Sequence, residues 1–157
     1  YPVVAVVSCS MEHNSNIGAC GFSHQEFNGW FAKQEKLYDS FKINKNEFSS
    51  YRFSNGFNKG DIMVLTGYGK IKKGDIIVFR GAAKEPIIHR VVRINENDVK
   101  IFYHTKGDNN IKSIETPGLN EISIPQEKLV GFNEYGKGSK AILRIPYLGY
   151  VKILWVK

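Results

Sequence analysis

The chain has 157 residues, with 22 Lys and Arg against 15 Asp and Glu, for a formal charge of +7. That length is enough for one domain with a core of ordinary size, and an apolar share of 42% excludes a disordered chain. The charge suggests an anionic neighbour, nucleic acid or a lipid surface, although no run of Lys and Arg stands out from an ordinary solvated surface.

In chain order, residues 1–11 open on an apolar, β-branched run that ends in Ser8-Cys9-Ser10. This reads as a strand delivering two hydroxyls to a turn. Residues 14–20 are polar and loop-like. Ser23 and Glu26 have capping-box spacing. Phe27, Trp30, Phe31, Tyr38 and Phe41 then fall mainly on one side of a 3.6-residue repeat, which predicts a helix with an aromatic stripe. Such a stripe could meet a membrane or substrate, but core packing is the favoured reading. Asn44 and Glu47 predict a cap on a second, shorter helix.

Gly60-Asp61 and Gly74-Asp75 are turns, each opening a strand, at 62–66 and 76–80. Residues 87–94 and 99–104 predict a hairpin across 95–98. Residues 108–125 are polar and read as a mobile loop. Short strands are expected at 129–132, 141–144 and 150–156. Many short strands between frequent turns make a mainly β domain. No phosphate loop or dinucleotide fingerprint survives inspection. Gly131 and Gly136-Lys137 have phosphate-loop spacing, but Gly138 stands where a hydroxyl is needed.

Cys9 and Cys20 are each followed by a histidine at the same interval, His13 and His24. A disulfide, free thiols and a zinc site are all open on this pattern, the zinc reading being weak because the cysteines are not grouped on one turn.

Chemistry-bearing residues sit in three segments: VSCSME at 7–12, GDIIVF with PIIHRVV at 74–92, and TKGDNN at 105–110. With IPYLGYVKI at 145–153, they resemble in order the type I signal peptidases, in the archaeal and endoplasmic-reticulum branch. In that branch a histidine takes the place of the bacterial lysine base. The likeness covers most of the chain except 14–54. It implies an antiparallel, signal-peptidase-like β domain with a small helical insertion. Residues 1–157 would form one catalytic domain, 12–55 being the partly helical insert. The abrupt apolar start, YPVVAVVS, fits a chain trimmed just after an N-terminal membrane anchor.

The resemblance implies Ser10 as nucleophile, His89 as general base and Asp108 as the acid orienting it. Ser8 and the Ser10 N–H would form the oxyanion hole. A second acid is common shortly after GDNN, and Glu115 is the nearby candidate here. Cys9 and His13 stand where glycine and proline are usual. An extended substrate would pair along Val6 and Val7 and along Pro86, Ile87 and Ile88. The expected substrates are preproteins with small residues at the cleavage site. The expected location is the extracytoplasmic side of the cell membrane, against lipid, with unknown accessory subunits and neither cofactor, metal nor nucleic acid. Composition and flanks suggest an archaeal source.

Taken singly, each residue has a plainer reading: strand-end serines, a core histidine, a turn aspartate. Their joint occurrence in matching flanks favours catalysis. His104 is a weaker base candidate, lacking those flanks, and His13 and His24 read as structural or exposed. Competing readings are a self-cleaving repressor-type protease, which would use lysine as base, and a non-catalytic basic β module binding nucleic acid or anionic lipid.

Overall fold

The structure is a computed structural model and describes residues 3–21, 24–131 and 139–148. It is mainly antiparallel β. The strands are β1 (Val3–Ala5), β2 (Ile62–Thr66), β3 (Ile76–Phe79), β4 (Ile87–Glu96), β5 (Ile101–Lys106), β6 (Glu115–Thr116), β7 (Leu119–Asn120), β8 (Ile124–Pro125) and β9 (Lys140–Ile145). Seven of them form one sheet in the order β1-β2-β9-β3-β4-β5-β8, and β6 and β7 form a separate small hairpin.

Strand β3 shows why the sheet is two-sided. All four of its residues are buried. Its side chains alternate across the sheet: Ile76 and Val78 join a core with Met11, Phe57 and Met63, whereas Ile77 and Phe79 join another with Val91, Tyr103 and Leu129. The two Gly-Asp turns are built alike. Asp61 accepts the Asn58 N–H at 2.7 Å and Asp75 the Lys72 N–H at 2.9 Å. Gly60 and Gly74 carry the positive φ each turn requires.

Three short helices lie between β1 and β2: α1 (Phe27–Ala32), α2 (Glu35–Ser40) and α3 (Lys45–Ser49). The single helix expected over the aromatic stripe is therefore broken at Lys33-Gln34. Gln34 is buried at the break and bonds inward, Nε2 to the Asp108 carbonyl at 2.7 Å and Oε1 to Lys106 at 2.8 Å. The stripe is core: Trp30, Phe31, Tyr38 and Phe48 pack together with Ile43 and Val92 of β4. Asn44 caps α3 as expected, accepting the Glu47 N–H. Ser23 and the strand expected at 150–156 lie outside the described residues.

Other boundaries shift. Among the described residues of the opening run, only Val3–Ala5 pairs in a ladder. Residue Leu129 makes an isolated bridge to Phe79 rather than starting a strand. The 108–125 segment is ordered by the β6–β7 hairpin and β8, where the sequence suggested a mobile loop.

Candidate active site

Ser10 lies just beyond β1 in a turn, and His89 projects from β4, where it pairs with Ile77 of β3. The Ser10 Oγ is 2.9 Å from His89 Nε2. On the far side of the ring, Nδ1 is 2.5 Å from Glu121 Oε1. Glu121 is fully buried. Burial opposes its ionisation, but the hydrogen bond and charge of His89, with the Ile114 N–H and Thr105 hydroxyl, outweigh it and hold the carboxyl below its ordinary value. An ionised carboxylate only accepts, so His89 donates from Nδ1. That leaves Nε2 free to accept the Ser10 proton. The Ser8 and Ser10 hydroxyl oxygens are 3.1 Å apart. With the Ser10 proton directed at His89, Ser8 donates to Ser10. The Ser10 N–H has no acceptor among the described residues.

Asp108, expected on His89, sits elsewhere. It is fully buried against Arg90, with Arg90 Nε to Oδ1 at 2.8 Å and Nη2 to Oδ2 at 2.7 Å. The remaining Arg90 N–H groups donate to the carbonyls of Arg52, Phe53 and Gly74. Oδ2 of Asp108 also accepts from His13 Nε2 at 3.1 Å. Burial works against the Asp108 charge, but Arg90 and then His13 overcome it and hold the carboxyl far below the usual range. Asp108 thus locks the insert, β4 and the GDNN turn together, whereas Glu121 orients His89.

Sequence alone does not single out Glu121, because the polar 108–125 segment reads as a mobile loop. A signal existed: Pro117-Gly118 marks a turn between two short runs. A hairpin there pairs Thr116 with Leu119 and Glu115 with Asn120, and brings Ile114 against Glu121. The Glu121 carboxylate then accepts the Ile114 N–H at 2.7 Å, which fixes its orientation. Glu115, the expected second acid, is exposed on this hairpin and makes no bond to His89.

The turn carrying Ser10 is clamped from the GDNN side. Asn109 N–H donates to the Ser10 carbonyl at 2.8 Å, and its Nδ2 donates to the carbonyls of Cys9 and Ala19. A Cβ on Gly107 would lie 2.8 Å from the Ser10 carbonyl oxygen, so only glycine allows this approach. Cys9 and Cys20 are disulfide-bonded with Cα atoms 5.5 Å apart, which consumes both sulfurs of the candidate zinc set. His13 is buried, stacked 3.5 Å from Trp30. His104 bonds Ser113 at 2.9 Å and not the site. His24 bridges to Asn14 and lines an open pocket of about 600 Å³ with Val7, Ser8, the disulfide and Tyr147.

Among the residues expected to bind substrate, Val7 is exposed. Val6 is buried, and both its main-chain groups are used, Val6 N to the Asp61 carbonyl and its carbonyl to the Gly60 N–H. Pro86 and Ile87 are half-buried and Ile88 is buried. Strand β5 ends opposite Arg90, so among the described residues no strand flanks 87–89 on that side.

No protein-family model matches the chain. Relatives are found among yeast signal peptidase complex catalytic subunits. That of Candida dubliniensis is 34% identical over 101 residues, 62% of this chain and 57% of the relative. That of Scheffersomyces stipitis is 38% identical over 100 residues, with the same coverage. That of Zygosaccharomyces rouxii is 34% identical over 104 residues, 64% of this chain and 58% of the relative. The chain therefore spans somewhat over half the length of the relatives it matches. Their yeast origin lends no support to the expected archaeal source. Over that stretch the chain is similar to the catalytic subunits of yeast signal peptidase complexes, in keeping with its resemblance to the endoplasmic-reticulum branch of the type I signal peptidases.

Proposed function

We propose that this chain is the catalytic domain of a membrane-associated serine endopeptidase that removes signal peptides from secreted preproteins. The observation that carries the reading is the continuous relay from Ser10 through His89 to Glu121, in a chain whose relatives are signal peptidase catalytic subunits. Ser10 Oγ attacks the scissile carbonyl while His89 Nε2 takes its proton and later returns it to the leaving amine. Glu121 holds the Nδ1–H tautomer and stabilises the imidazolium. The Ser10 N–H and the Ser8 hydroxyl face the developing oxyanion.

The substrate lies extended along the free side of residues 87–89, with Val7 across from it. Two observations support a membrane-facing, extracytoplasmic setting. The disulfide suits an oxidising compartment. Val3, Val64 and Leu143 form a cross-strand row on the outer face of β1, β2 and β9, where Val3 and Leu143 are exposed together with nearby Tyr147 and Leu148. Among the described residues, no helix is long and apolar enough to cross a membrane. The name of the relatives, subunits of a complex, makes accessory subunits part of the proposal. A basic nucleic-acid module gives no reason for the relay.

Purified protein incubated with a signal-bearing preprotein in detergent should cut it once, after a small residue. Ser10→Ala should abolish cleavage at nearly unchanged Tm, and His89→Ala should abolish it with a lowered Tm, because it takes a buried donor from Glu121. Cleavage by either variant at the wild-type rate would end the proposal.

A further inference from the structure

Little of the sheet holds the Ser10 turn. Strand β1 ends at Ala5, Val6 makes the last main-chain pair with the Asn58–Asp61 turn, and Ser8, Cys9 and Ser10 follow outside any strand. The main chain is caught again directly after Ser10, where the Phe57 N–H donates to the Met11 carbonyl at 3.0 Å, and between Val6 and Met11 two cross-links hold it. The first is Asn109, described above. The second is the Cys9–Cys20 disulfide, which places a covalent bond on the residue between the two serines.

The loop carrying Cys20 is anchored at its main chain. The Ala19 carbonyl accepts from Asn14 Nδ2 and Asn109 Nδ2, both at 2.7 Å, and the Gly18 N–H donates to Asn109 Oδ1. Packing holds the loop at Ile17, against the aromatic core of the insert, whereas beside Cys20 there is open space: a Cβ at Gly18 or Gly21 would meet nothing within 4 Å. The disulfide therefore transmits the position of this hydrogen-bonded loop to Cys9, and through Cys9 to the hydroxyls and the N–H on either side of it. Cys20 is exposed and the bond lines the open pocket, so a small thiol reaches it.

Resting on the reading of Ser10 as nucleophile, we propose that the Cys9–Cys20 disulfide is a positioning element of the active site. Closed, it holds Ser8 and Ser10 in register with His89. Open, it leaves the fold in place but loosens that register, so catalysis depends on the oxidised state.

The test is reversible reduction. Dithiothreitol attacks the bond, its two thiols become a cyclic disulfide, and Cys9 and Cys20 take up the two electrons and two protons as free thiols. The assay is run well below the Tm of the reduced protein, with the thiols confirmed by mass spectrometry. Cleavage kcat should fall about tenfold or more, since small misplacement of a reacting group costs that much, with KM nearly unchanged and recovery on reoxidation. A Cys9→Ala, Cys20→Ala variant should show the reduced value and ignore dithiothreitol. The rate at which a fluorophosphonate labels Ser10 should fall in parallel.

A purely stabilising bond would lower Tm and leave kcat and labelling unchanged, and that result overturns the proposal. If the oxidised protein labels but cuts no preprotein, the signal-peptide reading fails, and the response of labelling to reduction still decides the disulfide's role. Neither labelling nor cleavage in either state removes both.

Discussion

The two buried carboxylates near His89 make opposite predictions when each is changed to its amide. In Glu121→Gln, three donors face one side chain: the Ile114 N–H at one oxygen, and His89 Nδ1–H with the Thr105 hydroxyl at the other. The backbone N–H cannot become an acceptor, so the amide oxygen must turn to Ile114. The NH₂ then faces His89 and Thr105. Thr105 can accept, and His89 can accept only by moving its proton to Nε2. Every hydrogen bond survives, but the imidazole now presents N–H to Ser10 and cannot take its proton. Loss of the correct tautomer in a serine triad costs about 10⁴ in kcat, or roughly 5.4 kcal/mol of transition-state stabilisation. Stability should change little.

Asp108→Asn should do the reverse. It leaves the Arg90 charge, fully buried, without its counter-charge. Breaking such a pair costs about 3–5 kcal/mol, and for a chain of this size that lowers Tm by roughly 6–20 °C. The kcat of the protein still folded should stay within a few-fold of wild type. Both variants are assayed on a fluorogenic signal-sequence peptide, with Tm from calorimetry. Glu121→Gln at near wild-type kcat, or Asp108→Asn losing turnover at unchanged Tm, would refute the division of roles.

Further consequences are separately measurable. Because Asp108 titrates far lower folded than unfolded, its contribution to stability is complete above about pH 4 and is lost as pH falls below that toward the folded value, so acid unfolding monitored by circular dichroism should lose most of this component in Asp108→Asn. Lys106 is pushed down to about 7 by burial, so between pH 7 and about 10.4 the unfolded chain holds more proton and stability should rise with pH; denaturant melts of Lys106→Met should show that rise removed, and an unchanged slope would place the effect elsewhere. Exchanging Leu143, Tyr147 and Leu148 for serine should weaken co-sedimentation with anionic vesicles several-fold, and equal sedimentation would remove this face as a lipid contact.

Much of the sheet could be read from the chain because its signals are local. The strand starting at Ile62 and the hairpin from Ile87 follow from β-branched runs between Gly-Asp and Asn-rich turns. The aromatic insert could be read as core, but its break could not. Gln34 looks like an outward residue of a helix, yet a buried lysine and the Asp108 carbonyl, both distant in sequence, bend the chain to reach it. The disulfide was one of three options because spacing alone cannot report that Cys9 and Cys20 come within bridging distance. The flanks led to the expectation that Ser10 and His89 meet, and the two side chains lie 2.9 Å apart. The carboxylate on His89 was not foreseen, because a carboxylate's partner is fixed by which strands converge, and the Pro117-Gly118 turn marks the hairpin without singling out Glu121.

The environment of each carboxylate explains why the acid on His89 is Glu121. Asp108 faces a guanidinium that never gives up its proton and whose donors are all engaged, so its charge is already balanced and would do little for an imidazolium forming nearby. Glu121 faces neutral donors, a backbone N–H and a threonine hydroxyl, besides the imidazole itself. With the hydrogen bond from His89 first among them, these donors keep it ionised, and the neutral ones do not cancel its charge. In the proposed mechanism, as Ser10 loses its proton and His89 gains one, the growing positive charge meets an uncompensated carboxylate in a buried site, where attraction is strongest. Placing an arginine beside Glu121 would therefore be expected to slow cleavage even if every hydrogen bond of the relay were kept.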